Sequence, residues 1–363
     1  MDRLKIGVIG CGAIAQIQHL PHLRELDEQL QIGGICDLSL DLLERVGDDY
    51  HVPDADRFAD YHDLLAGDID GVIICSSGNH APVTLAAIEA GKHVLVEKPA
   101  CVTADEARAM SVAAEKAGVV LMVAYAKRHD PAYIFARERV ARMSDVTFVQ
   151  VNHFHPRNDL HTAEFRFHRP TDISLEQMKA AESDADAQID AALGLRTTTP
   201  EHRIAFELVN GSLIHDLGNL HGLFGPPERV LYTEIWLRGK AVSTILEYAH
   251  GVRAILNWVD LPDLWDFEET LAVYGSRERV IVSFPTGFAR GLPTDVTVME
   301  IDGELNPSKK TLQWHENAFK NELSHFGDCI SNRREPTTPG REIIDNVGLV
   351  RKIVRAWPGT GVS

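Results

Sequence analysis

The chain has 363 residues, of which 44% are hydrophobic and 25% are charged. This size and composition predict an ordinary globular protein with two domains. The net charge of −17 argues against the clustered basic surface of a nucleic-acid-binding protein. No stretch approaches the roughly 18 consecutive apolar residues of a membrane-spanning helix. The N-terminus runs directly into a strand pattern, so we expect no signal peptide and a cytoplasmic protein.

The five cysteines form an odd set without a C-x-x-C pair, and three of them lie at or near the ends of apolar, strand-like runs. We therefore expect buried, reduced thiols rather than disulfides or a zinc site. The cysteines are Cys11, Cys36, Cys75, Cys101 and Cys329.

The first 126 residues alternate between strand and helix patterns. The apolar runs predict buried parallel strands, and a capping box of Thr103 and Glu106 predicts the start of one intervening helix. Glycines at 91 and 118 stand where two of these helices should end. Repeated β-α-β units predict a Rossmann-type, doubly wound parallel sheet for residues 1–126. The predicted strands are 4–10, 30–36, 70–77, 92–97 and 119–126.

Residues 127–363 have a different pattern. Asp130 and Pro131 predict a helix start, and a strand follows at 146–155. Ser174 and Gln177 open a predicted helix that ends near Gly194. The alternating segments beyond it predict a large, mainly antiparallel open sheet in an α/β domain that binds substrate and forms oligomers. These segments are 229–238, 242–249, 252–260, 268–274, 279–284 and 294–302, with a terminal helix at 340–357.

A dinucleotide-binding fingerprint follows the first predicted strand. Residues 10–15 read G-x-G-x-x-A, in which Gly10 permits a tight turn and Gly12 lets the backbone approach a pyrophosphate. Ala15 lets the helix pack closely on the strand, and the free N–H groups at the helix start bind the phosphates. Because the motif lies between a strand and a helix, it predicts a dinucleotide site.

The carboxylate of Asp37, at the end of the second predicted strand, indicates which dinucleotide is bound. An acidic side chain there accepts hydrogen bonds from the adenosine ribose and repels a 2′-phosphate. Leu38 and Ser39 follow it, with no arginine to neutralise a phosphate. We therefore predict NAD rather than NADP, although an Asp that only caps the next helix is an alternative.

The segment 91–99 ends a buried strand on the charged pair Glu97 and Lys98. This A-G-K-H-V-x-x-E-K-P pattern, together with the fingerprint, resembles the glucose-fructose oxidoreductase/inositol dehydrogenase family, the Gfo/Idh/MocA group. The segments 124–133, 317–323 and 336–340 are also similar to it. The likeness spans most of the chain except roughly 157–199.

The resemblance implies catalytic roles for Lys98 and His215. Lys98 would contact the reacting hydroxyl and the nicotinamide ribose, and such a lysine suits proton transfer if its pKa is depressed. A surface salt bridge with Glu97 is the alternative. The predicted cofactor-binding residues are Gly10, Gly12, Ala13, Ile14, Ala15, Asp37, Ser76, Asn79, His80, Glu97 and Lys98.

The family's second catalytic element is a helix with Asp-x-x-x-His, and here the chain departs from the pattern. Counting back from Gly225 places His215 at the family histidine, while Gly211 and Gly218 occupy the acidic positions. His215 could still take the alcohol proton. Asp216 points elsewhere on a regular helix, although a shifted register with His221 is possible.

The segment 153–168 contains four histidines, of which His153 and His155 share one face of their strand. Both could contact substrate or simply pack, and a metal site would need ligands from other segments. We expect no metal. The polar insertion 157–199 could be a lid or an oligomer contact. The predicted substrate-binding residues are Tyr125, Arg128, His153, His155 and Asp216.

These observations predict a dehydrogenase that oxidises a secondary alcohol of a sugar, sugar acid or cyclic polyol. Two alternatives remain open: a sugar-modifying enzyme that retains NAD for epimerisation or elimination, and a non-catalytic NAD-binding regulator. The partly exposed second sheet predicts a homodimer or homotetramer. No nucleic-acid or membrane partner is expected.

Overall fold

The computed structural model describes residues 3–359, which form two compact units. The first unit contains the residues up to Ala126 together with Phe165–Ala192 and Phe319–Val347. The second contains Lys127–Glu164, Leu193–Ala318 and the residues from Gly348 onward. The predicted boundary at 126 and 127 coincides with a unit boundary, but two later segments lie in the first unit instead of the second. Within residues 3–359, no helix is both long and apolar enough to cross a membrane.

Fourteen strands are found in the described part of the chain. They are β1 (Leu4–Ile9), β2 (Leu30–Cys36), β3 (Arg57–Phe58), β4 (Gly71–Ile74), β5 (His93–Glu97), β6 (Leu121–Ala124), β7 (Phe148–His155), β8 (Arg229–Trp236), β9 (Ala241–Glu247), β10 (Arg253–Asp260), β11 (Glu268–Tyr274), β12 (Glu278–Phe284), β13 (Thr294–Ile301) and β14 (Pro307–Trp314).

The α-helices are α1 (Leu20–Glu25), α2 (Leu40–Tyr50), α3 (Tyr61–Leu65), α4 (Ala81–Glu89), α5 (Ala104–Ala117), α6 (Pro131–Val140), α7 (Asn158–Thr162), α8 (Leu175–Leu193), α9 (Pro200–Leu208), α10 (Ile214–Phe224), α11 (Ala318–Asn332) and α12 (Glu342–Arg355). Two π-helical segments, Ala15–His19 and Val209–Leu213, directly precede α1 and α10. Single 3₁₀ turns lie at Asp54–Asp56, Ala126–His129, Leu237–Gly239 and Ala249–Gly251.

The first unit contains a six-stranded parallel sheet in the order β3-β2-β1-β4-β5-β6. Its central strands are apolar and buried because helices cover both faces, as expected for a doubly wound sheet. The chain reverses its winding direction between β1 and β4. Ligands of open α/β sheets bind at the carboxyl ends of the strands beside such a switch point. The predicted Rossmann architecture is confirmed.

Local signals fixed the helix ends in this unit. Thr103 and Glu106 form the predicted capping box at the start of α5, and Gly118 ends the helix in the left-handed conformation with φ of 68°. The reciprocal pair of Ser174 and Gln177 likewise opens α8, the predicted helix of the polar insertion. All five cysteines are buried and free, as expected.

The second unit contains an eight-stranded sheet in the order β14-β13-β12-β11-β7-β10-β9-β8. All neighbours are antiparallel except β7 and β10, which run parallel. Buried residues alternate with half-buried residues along β7, β10 and β12, so one face forms a core and the other is more accessible. The predicted large, mainly antiparallel open sheet is confirmed.

A buried carboxyl group lies within the first unit, on α11. The side chain of Glu322 is completely buried, and neither of its carboxyl oxygens has a hydrogen-bond partner among the described residues. Burial, and secondly the negative charge of Glu97, raises the pKa of Glu322 well above its usual value. Burial therefore favours the protonated form of this carboxyl group in the folded protein.

The substitution Glu322→Gln should change how stability depends on pH. The folded wild type keeps a proton that the unfolded chain releases above about pH 4.5, so its stability falls as pH rises. We expect the unfolding free energy of the wild type to fall by about 1 kcal/mol per pH unit relative to the variant between pH 5 and 8. Urea unfolding across this range measures the difference. Parallel curves would show that Glu322 is ionised in the folded state, and Glu44→Gln on the exposed side of α2 is the control.

Candidate active site

The glycine turn after β1 has the backbone geometry that the fingerprint predicts. Gly10 has φ of +95°, and a Cβ there would lie 2.4 Å from the amide nitrogen of Ser76. Glycine is thus required both by the backbone conformation and by the close approach of the loop after β4. A Cβ at Gly12 would meet no atom within 4 Å. The start of the following helix, from Ala13 and Ile14 to the buried Ala15, is therefore open above Gly12.

The carboxylate of Asp37 joins this turn to the start of α2. Its two oxygens accept hydrogen bonds from the backbone N–H of Cys11, at 2.8 Å, and from that of Ser39, at 2.9 Å. Ser39 in turn caps α2 by accepting the N–H of Leu42. A carboxylate has about four lone-pair sites. Asp37 therefore retains acceptor capacity for two further donors.

The loop after β4 is held by side-chain contacts to its neighbours. His80 is buried, and its ring nitrogens contact the carbonyl oxygens of Ser76 and Glu97 at 2.6 and 3.0 Å. Asn79 donates to Glu106 on α5 and to Gln188 on α8. The predicted cofactor residues of this loop thus lie together at the carboxyl edge of the sheet.

Glu97 ends β5 and is a buried ionised carboxylate. Burial favours its protonation, but the hydrogen bond from His19 at 2.8 Å and the charges of His19, Lys98 and His80 outweigh it and hold the pKa of Glu97 below its usual value. The backbone N–H of Lys98 also donates to Glu97. His19, on the π-helical segment before α1, was not among the predicted site residues.

The remaining predicted residues are placed differently by the fold. Lys98, in the first unit, and His215, on α10 of the second, are each half-buried. The buried Tyr125 accepts a hydrogen bond from Asn346 on α12. Arg128 is buried so closely against α10 that a Cβ at Gly222 would lie 2.8 Å from its Nε. Tyr125 and Arg128 are thus packed inside their units, and their roles as substrate ligands stay predictions.

A cluster of four charged residues is buried within the second unit. His153 on β7 and Glu269 on β11 are direct neighbours across the two strands, and Asp216 on α10 lies 3.0 Å from His153 Nδ1. Lys127 forms an ion pair with Glu269. We call these residues the buried charge cluster: Lys127, His153, Asp216 and Glu269.

The protonation of the cluster follows from its charge balance. Lys127 and His153 outweigh the effect of burial on Glu269 and keep its pKa below the usual value. Burial, and secondly the negative charge of Glu269, raises the pKa of Asp216 to about 6. Asp216 therefore takes up a proton at a higher pH than an ordinary aspartate, whereas Glu269 stays ionised.

The cluster continues toward the surface through two histidine contacts. His153 Nε2 lies 3.2 Å from His155 Nδ1, and His155 Nε2 lies 2.8 Å from Oδ1 of Asn158 on α7. Burial, and secondly the nearby charge of His153, lowers the pKa of His155 to about 4, so this ring is neutral at neutral pH. Trp258 stacks on His155, and Phe267 packs edge-on against both histidines. The predicted polar pair His153 and His155 is thus lined by aromatic side chains.

The cluster also has the spacing of a metal site. One ligand atom each from His153, Asp216 and Glu269 lies within 4.8 Å of the others, which is the one such group in residues 3–359. Lys127 provides a positive charge to Oε1 of Glu269. Oε2 of Glu269 and Oδ1 of Asp216 have no hydrogen-bond partner among the described residues. The expectation that no metal is bound therefore stays a prediction.

The helix that carries His215 differs from the regular helix assumed in the prediction. The π-helical segment Val209–Leu213 precedes it, and a Cβ at Gly211 would meet no atom within 4 Å, so space is present at that position. Asp216 is completely buried and contacts His153. Sequence reasoning missed Glu269 and Lys127. Glu269 alternates with the buried Leu271 and Val273 on β11, and an acidic residue on the buried face of a strand is the signal that could have identified it.

Removing one partner of the buried ion pair should cost more than removing both. We expect Glu269→Gln to lower the unfolding free energy by about 3–5 kcal/mol, because it leaves the Lys127 ammonium buried without its counter-charge. The double variant Lys127→Met/Glu269→Gln should recover at least half of this loss. Urea unfolding of the two single variants and the double variant measures the coupling. Additive effects would show that the two side chains do not stabilise each other.

Comparison with known proteins agrees with the geometry of the first unit. The family model described as "Oxidoreductase family, NAD-binding Rossmann fold" (GFO_IDH_MocA) matches residues 4–125. Inositol 2-dehydrogenase of Paracoccus denitrificans is 36% identical over 158 residues, which cover 42% of this chain and 46% of that protein. The scyllo-inositol 2-dehydrogenase (NADP(+)) IolW of Bacillus subtilis is 31% identical over 157 residues, covering 42% of each chain. The matched stretch thus spans less than half of these relatives.

A likeness in fold extends over both units. The UDP-N-acetylglucosamine 3-dehydrogenase GnnA of Acidithiobacillus ferrooxidans superposes with a TM-score of 0.73, covering 98% of each chain at 17% identity. At this identity the likeness shows the fold alone. The resemblance noted in the sequence is confirmed for residues 4–125, which match the model of the NAD-binding Rossmann fold of the Gfo/Idh/MocA oxidoreductase family.

Proposed function

We propose that this protein is an NAD-dependent oxidoreductase that transfers a hydride from a secondary alcohol of a sugar, sugar acid or cyclic polyol to the nicotinamide. The observation that carries the proposal is the glycine turn at the carboxyl end of β1. It leaves open space above Gly12 and holds the carboxylate of Asp37 beside it. Oxidised NAD, when bound, supplies the hydride acceptor at C4 of its nicotinamide ring.

The residues around the turn fit a dinucleotide. The unobstructed backbone at Gly12 and the helix that follows suit a pyrophosphate, since N–H groups at a helix start bind phosphate oxygens without a basic side chain. Asp37 would accept hydrogen bonds from the adenosine ribose with its remaining lone pairs. Its charge supports NAD over NADP.

The resemblance supports proton transfer by Lys98 and His215. The alcohol loses a hydride and a proton, and the proton needs an acceptor while the carbonyl group forms. We propose that Lys98 contacts the reacting oxygen and that His215 takes the proton. The ionised carboxylate of Glu97 beside Lys98 would orient the lysine through charge attraction.

The proposed substrate class is supported by residues of the second unit and by the names of the relatives. His155 is neutral and lies next to Trp258 and Phe267. Its ring nitrogens contact His153 and Asn158, so a substrate hydroxyl group would have to replace the contact with Asn158. The buried charge cluster would fix the orientation of His153 through Asp216. The relatives that match the first unit are named as inositol dehydrogenases, which favours a cyclic polyol or sugar.

A second candidate is a sugar-modifying enzyme that retains its NAD during epimerisation or elimination. The specific observation in its favour is the segment 165–192. Within the first unit, this segment forms hydrogen bonds with Gln16, Ser39 and Asn79, which all lie at the carboxyl edge of the sheet. A cofactor enclosed at this edge would exchange slowly. A cytoplasmic homodimer or homotetramer without nucleic-acid or membrane partners stays part of the proposal.

The substitution Lys98→Ala tests the catalytic assignment. With NAD and a panel of inositols, sugars and sugar acids, reduced cofactor should form in the wild type and be followed by its absorbance. We expect Lys98→Ala to lower kcat at least 100-fold because the reacting hydroxyl loses its proton-transfer partner. Lys116→Ala, an exposed lysine on α5, is the control and should keep full activity.

The other outcomes distinguish the candidates. Dinucleotide that co-purifies with the protein and is released by denaturing extraction would favour the retained-NAD enzyme. Binding of NAD without turnover of any compound, in the wild type and in Lys98→Ala alike, would favour a non-catalytic regulator. Full activity of Lys98→Ala would refute the assignment of Lys98.

A further inference from the structure

The segment 165–192, hereafter the strap, crosses the edge of the first unit where the cofactor is proposed to bind. At its start, the backbone of His168 exchanges two hydrogen bonds with the side chain of Gln16, at 2.7 and 3.0 Å. At its end, Gln188 accepts a hydrogen bond from Asn79 after β4. Between these contacts the strap passes the start of α2. It therefore follows the outside of the proposed dinucleotide site from one strand end to the next.

Asp172 of the strap places a carboxylate at the N-terminus of α2. The hydroxyl group of Ser39 donates to one of its oxygens, and the backbone N–H of Asp41 lies 3.3 Å from the other. The hydrogen bond from Ser39, together with weaker backbone hydrogen bonds, outweighs burial and lowers the pKa of Asp172, so the carboxyl group is ionised at neutral pH. Ser39 also donates its N–H to Asp37. Two carboxylates, one from β2 and one from the strap, thus contact the same serine.

The carboxylate of Asp172 takes the hydrogen-bond donors at the start of α2 that the 2′-phosphate of NADP would need. The ribose 2′-oxygen of a dinucleotide lies beside the acidic residue that ends β2, and an NADP phosphate extends from that oxygen. The nearest helix start is that of α2, whose free N–H groups form an anion site. Asp172 already occupies these donors with a negative charge. An added phosphate would lose the donors and meet two carboxylates.

The two arginines near the start of α2 make contacts away from Ser39. Arg45 on α2 pairs with Asp41 and donates to the carbonyl oxygen of Arg169. Arg169 lies over the ring of Phe167, at 4.8 Å from its centroid. Neither guanidinium group contacts Ser39 among the bonds of the described residues. The charge next to the proposed ribose site is therefore net negative.

We propose that Asp172 is a specificity-determining residue that excludes NADP by holding an internal carboxylate in the place of the 2′-phosphate. The inference rests on the proposed function, because it assumes that the first unit binds a dinucleotide. It assigns to the strap a discriminating role in addition to that of Asp37. It also explains a polar insertion that lies outside the family resemblance.

The experiment measures the dissociation constants of NAD and NADP by titration calorimetry for the full-length wild type and Asp172→Asn. Asparagine keeps one oxygen acceptor for Ser39 and removes the charge, while its NH2 group replaces the oxygen that faces the N–H of Asp41. We expect the variant to bind NADP about tenfold more tightly or better, with the affinity for NAD changed by less than about threefold. Glu182→Gln, which removes the same charge from an exposed position on α8, is the matched control and should leave both constants unchanged. Asp172→Ala tests whether the hydrogen bonds matter beyond the charge.

The possible results distinguish a failure of the proposed function from a failure of the inference about Asp172. If the wild type binds neither dinucleotide, the proposed function fails. If the wild type prefers NAD and Asp172→Asn retains the same ratio of the two constants, the proposed function survives and the inference about Asp172 is overturned. If the wild type binds NADP as tightly as NAD, the inference is overturned as well. If Glu182→Gln strengthened NADP binding as much as Asp172→Asn, the gain would come from general charge repulsion. The local role of Asp172 would then be refuted.

Discussion

The pair of hydrogen bonds that Asp37 accepts from Cys11 and Ser39 is the constraint on which the first unit depends. These bonds join the glycine turn after β1 to the start of α2 through a single carboxylate. Because the turn also packs against Ser76, where no side chain would fit at Gly10, three strand ends are held in one arrangement. These contacts restrict the conformations open to the proposed dinucleotide site. Preorganisation of this kind reduces the cost of ordering upon binding.

The two units stabilise their buried titratable side chains in different ways. In the second unit, Lys127 forms an ion pair with Glu269, and His153 contacts Asp216. In the first unit, His19 and other nearby charges keep the pKa of Glu97 below its usual value, whereas burial raises the pKa of Glu322. Both solutions avoid an isolated buried charge, which would cost several kcal/mol. Such burial also brings the pKa of a group close to neutral pH, as it does for Asp216 at about 6. The protonation of this group then responds to small changes in the surrounding charge.

Much of the fold could be predicted from the sequence because the signals are local. Apolar runs, the capping box at Thr103 and the glycine at 118 specified strands and helix ends that the structure confirms. The edge strand β14 was missed, since its residues are mostly exposed and polar and lack the alternation that marks a half-buried strand. The two-residue β3 is too short to produce a pattern. The strap was recognised as a polar insertion with one helix, but its position was left open.

The sequence by itself determined the Rossmann architecture, the glycine turn, the acidic residue at the end of β2 and the family resemblance of residues 4–125. These depend on residues that are close in the chain and whose conformations follow from steric and hydrogen-bonding rules. Only the tertiary structure brought Glu269 beside His153, turned Asp216 toward that histidine, and carried Asp172 to Ser39. Ser39 and Asp172 are 133 positions apart, and no local periodicity encodes such a pairing. Contacts of this range are decided by how sheets and helices pack, which is why the charge partners of the site could not be read from the chain alone.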